Sequence, residues 1–161
     1  MKKDGSFSRC ALTAPDLEAF GIKQDWKEFE AFIDRVFVSF GFETTRNFRL
    51  KKPAMEVDLI ASKGAVAFAI DCKHWKRTVG RASMSRVSSR QIARAHRILE
   101  TGFWSKVIPV VMTLRDESLF ILENGVPVVP VSKLFDFILN WEESADSILS
   151  LSSSVTQAKI L

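Results

Sequence analysis

Asp71 and Lys73 stand two residues apart at the end of an alternating apolar stretch, and Asp58 stands on the stretch before it. The whole segment from Val57 to Lys73, VDLIASKGAVAFAIDCK, reads as two neighbouring strands joined by a turn at Ser62-Lys63-Gly64. In the second strand Val66, Phe68, Ile70 and Cys72 take one face. Ala65, Ala67, Ala69, Asp71 and Lys73 take the other. The bulky face suits a core, and the alanine face would let a helix pack close over the strand. Pairing of the two strands would bring Asp58 beside Asp71. Two acids and an ammonium on one patch of sheet are costly unless something cationic lies between the acids. A divalent metal ion is the obvious candidate, and removing one of two such mutually repelling acids should relieve repulsion.

The chemistry such a patch supports is hydrolysis of a phosphodiester, which needs negative charge neutralised and a water deprotonated. Asp58 and Asp71 could hold Mg²⁺, or Mn²⁺ in its place, because Mg²⁺ takes only one or two protein carboxylates and keeps several waters. The metal would lower the pKa of a bound water and polarise the phosphoryl oxygen. Lys73 could orient the water or stabilise developing charge, and the backbone carbonyl of Cys72 offers a further metal ligand.

Charge is unevenly spread. Of the 23 Lys and Arg, eight (Lys73, Lys76, Arg77, Arg81, Arg86, Arg90, Arg94 and Arg97) fall between Cys72 and Leu99, where there is no acid. That leaves 15 basic residues against 19 acidic ones elsewhere, so the net charge of +4 resides in this one segment. Lys76, Arg77, Arg81, Arg86, Arg90, Arg94 and Arg97 are therefore the candidate nucleic-acid contacts, and a polyanion docked beside the acids is the expected partner. At helical spacing Arg86, Arg90, Arg94 and Arg97 form one stripe, with no acid in the segment to pair them. Gln91 lies in the opposite, apolar sector with Val87, Ile92, Ala95, Ile98 and Leu99. There it is either a satisfied core amide or a site residue.

The elements that must position these residues follow from periodicity. A helix is predicted from Trp26 to Phe40, capped by Asp25 with Glu28 three residues on, and ended by Gly41. Phe29, Phe32, Ile33, Val36, Phe37 and Phe40 form its apolar stripe, with Glu30 on the flank. A strand over Phe42 to Leu50 precedes the central pair, and a basic loop from Trp75 to Arg81 leads into a second helix over Ser83 to Glu100. Lys106 to Thr113 is a strand buried on both faces. Leu119 to Leu122 and Val126 to Val131 form a hairpin around Asn124-Gly125, and Ser132 caps a last helix through Trp141. The order argues for an α/β or α+β domain with a mixed central sheet flanked by helices.

The whole chain of 161 residues reads as a single domain, with residues 1–24 a weakly patterned extension and 144–161 a serine-rich tail, helical or without fixed structure. No apolar run approaches a membrane span, and the start, MKKDGSFSRC, lacks the apolar core of a signal peptide. With only Cys10 and Cys72, the expectation is a reduced, cytoplasmic protein with no membrane association and no zinc site.

The ordered set of Glu30, Asp58, Asp71-x-Lys73 and a following helix resembles the PD-(D/E)xK nuclease superfamily, and within it the Mrr-type restriction endonuclease catalytic domains. Phe29-Glu30 and Gly41-Phe42 match the pairs that open and close the first helix of that family. Glu56-Val57-Asp58-Leu59 matches its GVDL-like strand, and Asp71-Cys72-Lys73 its QCK-like strand end. Archaeal Holliday junction resolvases share the skeleton. The resemblance implies a restriction-endonuclease-like fold and metal-dependent cleavage of DNA, with Glu30, Asp58, Asp71 and Lys73 catalytic. Glu30 would bind a second metal or hold a metal-associated water, and Gln91 would stand near the metal, as a glutamine of this helix does in some members. Three features depart from the pattern. Pro53-Ala54-Met55-Glu56 replaces the usual glycines, the second acid is Asp71 where Glu or Gln is commoner, and these 161 residues leave no room for a separate recognition domain.

Two other functions compete: a structure-selective resolvase acting as a homodimer, and a non-catalytic nucleic-acid-binding module of the same fold. Single residues have plainer readings too. Asp71 and Lys73 could be an exposed pair at a strand end, Glu56 a surface acid, Glu28 a cap, Trp75 packing, and His74 and His96 bystanders.

Overall fold

The computed structural model describes residues 25–75, 79–114 and 121–153. Helix α1 spans Trp26–Ser39. Asp25 accepts from the Glu28 N–H at 2.9 Å, and the Glu28 carboxylate faces the Asp25 N–H in return, the predicted capping box. The chain leaves the helix at Gly41, whose φ of 81° a side chain would resist. Strands β1 (Glu43–Lys51), β2 (Ala54–Lys63) and β3 (Val66–Lys73) then run as an antiparallel meander. Helix α2 (Arg81–Leu99) crosses over to β4 (Lys106–Thr113), which lies parallel to β3. A hairpin of β5 (Ile121–Glu123) and β6 (Val126–Pro130) follows, turned by Asn124 and Gly125 at φ 56° and 79°. That pair of positive φ values is what an Asn-Gly two-residue turn supplies. The sheet order is β1-β2-β3-β4-β6-β5, mixed in direction.

Helices cover both faces. On one, Phe29, Ile33 and Phe37 of α1 pack on Leu59, Phe68, Ile70 and Met112. They meet there Leu134, Phe137 and Ile138 of the short helix α3 (Leu134–Asn140). On the other, Ala95 and Ile98 of α2 lie on Ala67, Ala69 and Val107. The alanine face of β3 does what its small side chains suggest: it lets α2 approach the strand.

Two expectations give way. The last helix does not start at Ser132, which lies inside a 3-10 turn (Val131–Lys133), and α3 ends at Asn140. Its run of Val, Pro and Val on β6 continues the extended chain up to the turn and leaves the helix less room. The segment after Glu143 is neither helical nor detached up to Ser153: Ile148 is buried, and Leu151–Ser152 form β7, antiparallel to β4. This addition accounts for Pro109 in the middle of β4. On the edge away from β3, residues 106 and 107 pair with β7 and residues 111 to 113 with β6. Pro109 falls in the gap between them, where a missing N–H breaks no ladder. Residues 1–24, with Cys10 and a predicted helical turn at Asp16 to Phe20, and residues 154–161 lie outside the described residues. Among the described residues no helix is long and apolar enough to cross a membrane.

The β2–β3 pairing is continuous from Lys63–Val66 to Leu59–Ile70 and is not continued at Asp58. At the same point β2 changes face. Val57 belongs to the core under α2, whereas Leu59, two residues on, belongs to the core under α1. In an unbroken strand residues i and i+2 share a face. On the neighbouring strand Asn47, between the pairs Arg46–Leu59 and Phe48–Val57, takes a φ of 52°.

Candidate active site

Where the ladder stops, side chains replace it. The Cys72 N–H donates to Asp58 Oδ2 at 2.7 Å, so a carboxylate of β2 accepts the hydrogen bond that a backbone carbonyl would otherwise take. Asp58 thereby faces the end of β3. Asp71 is only 2% exposed. Its Oδ1 accepts from Arg94 Nη1 at 2.8 Å, and Lys73 Nζ stands 2.8 Å from its Oδ2. Lys73 and Arg94 take one carboxylate oxygen each. Asp71 is thus no exposed surface acid.

Glu30 reaches the same place from α1. It is 6% exposed, with Arg46 Nη2 3.9 Å from Oε2. Burial first, and then the negative charge of Asp58, push its pKa from 4.5 up to about 7, against the pull of Arg46. Burial also raises the pKa of Asp58, and the charge of Asp71 adds to it. The Cys72 N–H, Lys73 and Arg94 oppose the rise. The Cys72 thiol is pushed well up, by burial and then by Asp58 and Glu30, so it is a neutral neighbour and not a nucleophile. The charges of Asp58 and, least, Asp71 reach Glu30, so carboxyl groups of α1, β2 and β3 lie near one another at the end of the β2–β3 pairing. Of the expected quartet, Asp71 and Lys73 are in contact, and Glu30 and Asp58 feel the charge of Asp71.

Gln91 is a satisfied core amide. It is fully buried, and its Nε2 donates to Ala69 O at 2.6 Å, which fixes α2 against β3. Its Oε1 accepts from Arg94 Nη1 at 3.2 Å, so the amide also positions a cation at Asp71.

Residues 22–99 match the restriction endonuclease family model, in its catalytic-domain form. They carry Glu30, Asp58, Asp71, Lys73 and Gln91. This stretch is thus similar to a restriction endonuclease catalytic domain. An uncharacterized protein of Archaeoglobus fulgidus is 28% identical over 117 residues, 71% of this chain and 90% of the relative. Two crystal structures are also similar. One is of a protein of unknown function, at 18% identity and a TM-score of 0.42, covering 55% of this chain; the chain spans about half (47%) of that protein's length. The other is of the small subunit of the heterodimeric restriction endonuclease R.BspD6I, at 14% identity and a TM-score of 0.47, covering 83% of this chain and 80% of the subunit.

The chain holds its basic residues in more than one state. Lys76 and Arg77 lie outside the described residues. Arg81, Arg86 and Arg90 are exposed along α2, with Arg86 Nη2 donating to Ser83 Oγ at 3.2 Å. Arg94 and Arg97, expected to lack acidic partners, have them. Arg94 pairs with Asp71, and Arg97 pairs with Glu100 at 2.9 Å and donates to Lys52 O in the β1–β2 turn. Those acids lie just outside the acid-free segment, on β3 and at the end of α2.

The plainer readings hold for Glu28 as a cap and for Glu56, which pairs on the surface with Arg49 at 2.9 Å. Trp75 packs beside Val111 and Val128, His74 lies against the Phe29 ring, and His96 is exposed. Two participants escaped the sequence reading, Arg46 beside Glu30 and Arg94 as the partner of Asp71. The second left a signal: Gln91 and Arg94 are three residues apart on a helix, within reach of each other.

The donor set suits a hard divalent cation, since carboxylate oxygens and a peptide carbonyl are its usual ligands. Yet among the described residues no three His, Cys, Asp or Glu side chains are gathered tightly enough to hold a metal as they stand. The reason is local. Asp58 is turned to the Cys72 N–H, and Asp71 is held between Lys73 and Arg94.

Proposed function

We propose that this chain is a divalent-metal-dependent endonuclease that hydrolyses DNA phosphodiester bonds. The observation that carries the reading is the meeting of Glu30, Asp58, Asp71 and Lys73 where β2 leaves β3, beside the exposed arginines of α2. Crowded, half-neutralised carboxyls are a poor way to stabilise a fold and a good way to receive a cation.

In this reading Asp58 and Asp71 hold Mg²⁺ or Mn²⁺ with the Cys72 carbonyl, and Glu30 faces the same ion or a second one. The ion supplies Lewis-acid charge and an acidified water. Lys73, fixed on β3 beside Asp71, holds its ammonium where negative charge develops on the phosphoryl oxygens. Glu30, with its pKa raised to about 7 while no ion is bound, would give up its proton as the ion arrives. Arg81, Arg86 and Arg90, with Lys76 and Arg77, bind backbone phosphates, and Gln91 keeps α2 at its distance from β3. The pairing of Asp71 with both Lys73 and Arg94 favours one other reading, a DNA-binding module without turnover.

A panel of labelled duplex, single-stranded and four-way-junction DNAs separates these readings, incubated with Mg²⁺, Mn²⁺ or EDTA. Cleavage by wild type with Mg²⁺, lost with EDTA and in Asp71→Asn, supports the enzyme. Selective junction cleavage by a dimer identifies a resolvase. Binding of equal strength by both proteins, with no cleavage under any condition, leaves the module.

A further inference from the structure

Arg94 lies where two uses of one side chain compete. Its guanidinium is 2.8 Å from Asp71 Oδ1 and 3.2 Å from Gln91 Oε1. The Gln91 amide is itself locked by its bond to Ala69 O, so its oxygen forms a fixed rest for the guanidinium. The acid that Arg94 neutralises is almost wholly buried, yet the arginine side chain keeps 29% of its surface open. Arg90, one turn earlier, is exposed. Arg94 therefore sits at the boundary between the acid cluster and the phosphate-facing stripe.

We propose that Arg94 is an exchangeable counter-ion. It neutralises Asp71 while no divalent cation is bound, and it swings outward to a DNA phosphate when one takes Asp71. The inference rests on the nuclease reading above and adds an order of events to it. A divalent cation and a guanidinium on one carboxylate repel at contact distance. Of the two cations at Asp71, Arg94 has the longer side chain and comes from a helix whose neighbouring arginines already face solvent. Released, it joins the row of Arg86 and Arg90 as a free cation, and a phosphate oxygen is its natural acceptor. Metal binding and phosphate binding are then coupled, and the coupling is reciprocal: a phosphate that holds Arg94 outward raises the affinity of the acids for the ion. A merely structural Arg94 predicts no such coupling.

The test measures binding of one duplex by the full chain over a range of salt, once with Ca²⁺ and once with EDTA, for wild type, Arg90→Ala and Arg94→Gln. Glutamine keeps a donor for Gln91 and so protects folding, which thermal melts check. Replacing an arginine that contacts phosphate flattens the salt slope by about one unit. Arg90→Ala should do so in both media, and Arg94→Gln only with Ca²⁺. Without DNA, Arg94→Gln should bind Ca²⁺ more tightly, by about tenfold, as expected for a coupling of ordinary size. Equal flattening in both media would mean that Arg94 always contacts phosphate, and no flattening in either that it is only a structural ion pair. Each result overturns the exchange while leaving the nuclease reading intact. Wild type that binds neither Ca²⁺ nor DNA overturns both.

Discussion

The β2–β3 hairpin has two ends made from the same kinds of strand, and they behave in opposite ways. From Leu59 to Lys63 every residue of β2 is paired with β3, and Phe68 at the centre touches Phe37, Phe42, Phe137 and Trp141 edge-on or tilted. At the other end β2 turns over at Asp58, the pairing stops, and the Cys72 N–H takes a carboxylate in place of a carbonyl. One end resolves every local demand by burial and backbone bonding. The other leaves Asp71 shared between two cations and two carboxyls, Glu30 and Asp58, with raised pKa. Stability has been put into one end of the hairpin and unspent electrostatic free energy into the other, as expected of a fold that holds a reactive site.

The largest effect expected at the open end is from Asp71→Asn. It keeps an acceptor for Arg94 and removes the charge, and cleavage should fall by more than about 1000-fold, together with Mg²⁺ binding. It should not make the domain more stable. Two crowded acids alone would predict relief, but Lys73 and Arg94 both stand 2.8 Å from Asp71, and their loss of a partner outweighs the lost repulsion. A higher melting temperature in EDTA would show that repulsion dominates after all.

At the closed end Phe68→Ala should reduce stability by about 3–5 kcal/mol, the usual range for emptying a packed aromatic site. Urea denaturation measures it, and the folded fraction should still bind Mg²⁺ with wild-type affinity. A loss of metal affinity in the folded protein would show that the two ends are not independent. Lys73→Ala is smaller again. Turnover should drop on the order of 100-fold to 1000-fold, while Mg²⁺ affinity holds or rises because a neighbouring cation has gone. A parallel loss of both would assign Lys73 a structural role at Asp71.

Much of this contrast was legible in the chain. Strict alternation in β3 places Asp71 and Lys73 on one face and the core residues on the other, and the capping box and Gly41 bracket α1. The basic surplus of α2 is visible as composition. What was not legible depends on contacts between distant segments. Nothing local says that β2 changes face at Asp58, because that comes from how its two flanks divide between the cores of α1 and α2. The partners of Arg94 and Arg97 are out of sight for the same reason, and β7 is a two-residue strand that exists only because β4 offers it an edge.

The smallest effect is the most specific to the open end. Glu30 has an ordinary carboxyl pKa of 4.5 in the unfolded chain and about 7 in the folded one. The folded state therefore binds more protons between these two values, and stability must fall as pH rises through that window. Below about pH 4.5 the penalty is absent, and above about pH 7 it is fully present. Glu30→Gln has no such slope. Relative to wild type it should gain stability with rising pH, reaching about 1–2 kcal/mol above pH 7, because solvent near the opening screens part of the shift. Denaturant midpoints at pH 4.5, 6 and 8 give the comparison, and a gap that does not widen with pH would mean that Arg46 already compensates Glu30. The same group gives a signature of the cation. A divalent ion facing Glu30 favours its charged form, so Mg²⁺ binding near pH 6.5 should release a proton. Calorimetry in two buffers of different ionisation enthalpy counts that proton. Wild type should release more of it than Glu30→Gln, and equal release would move Glu30 away from the ion and leave it as a buried acid that crowds Asp58 without serving the site.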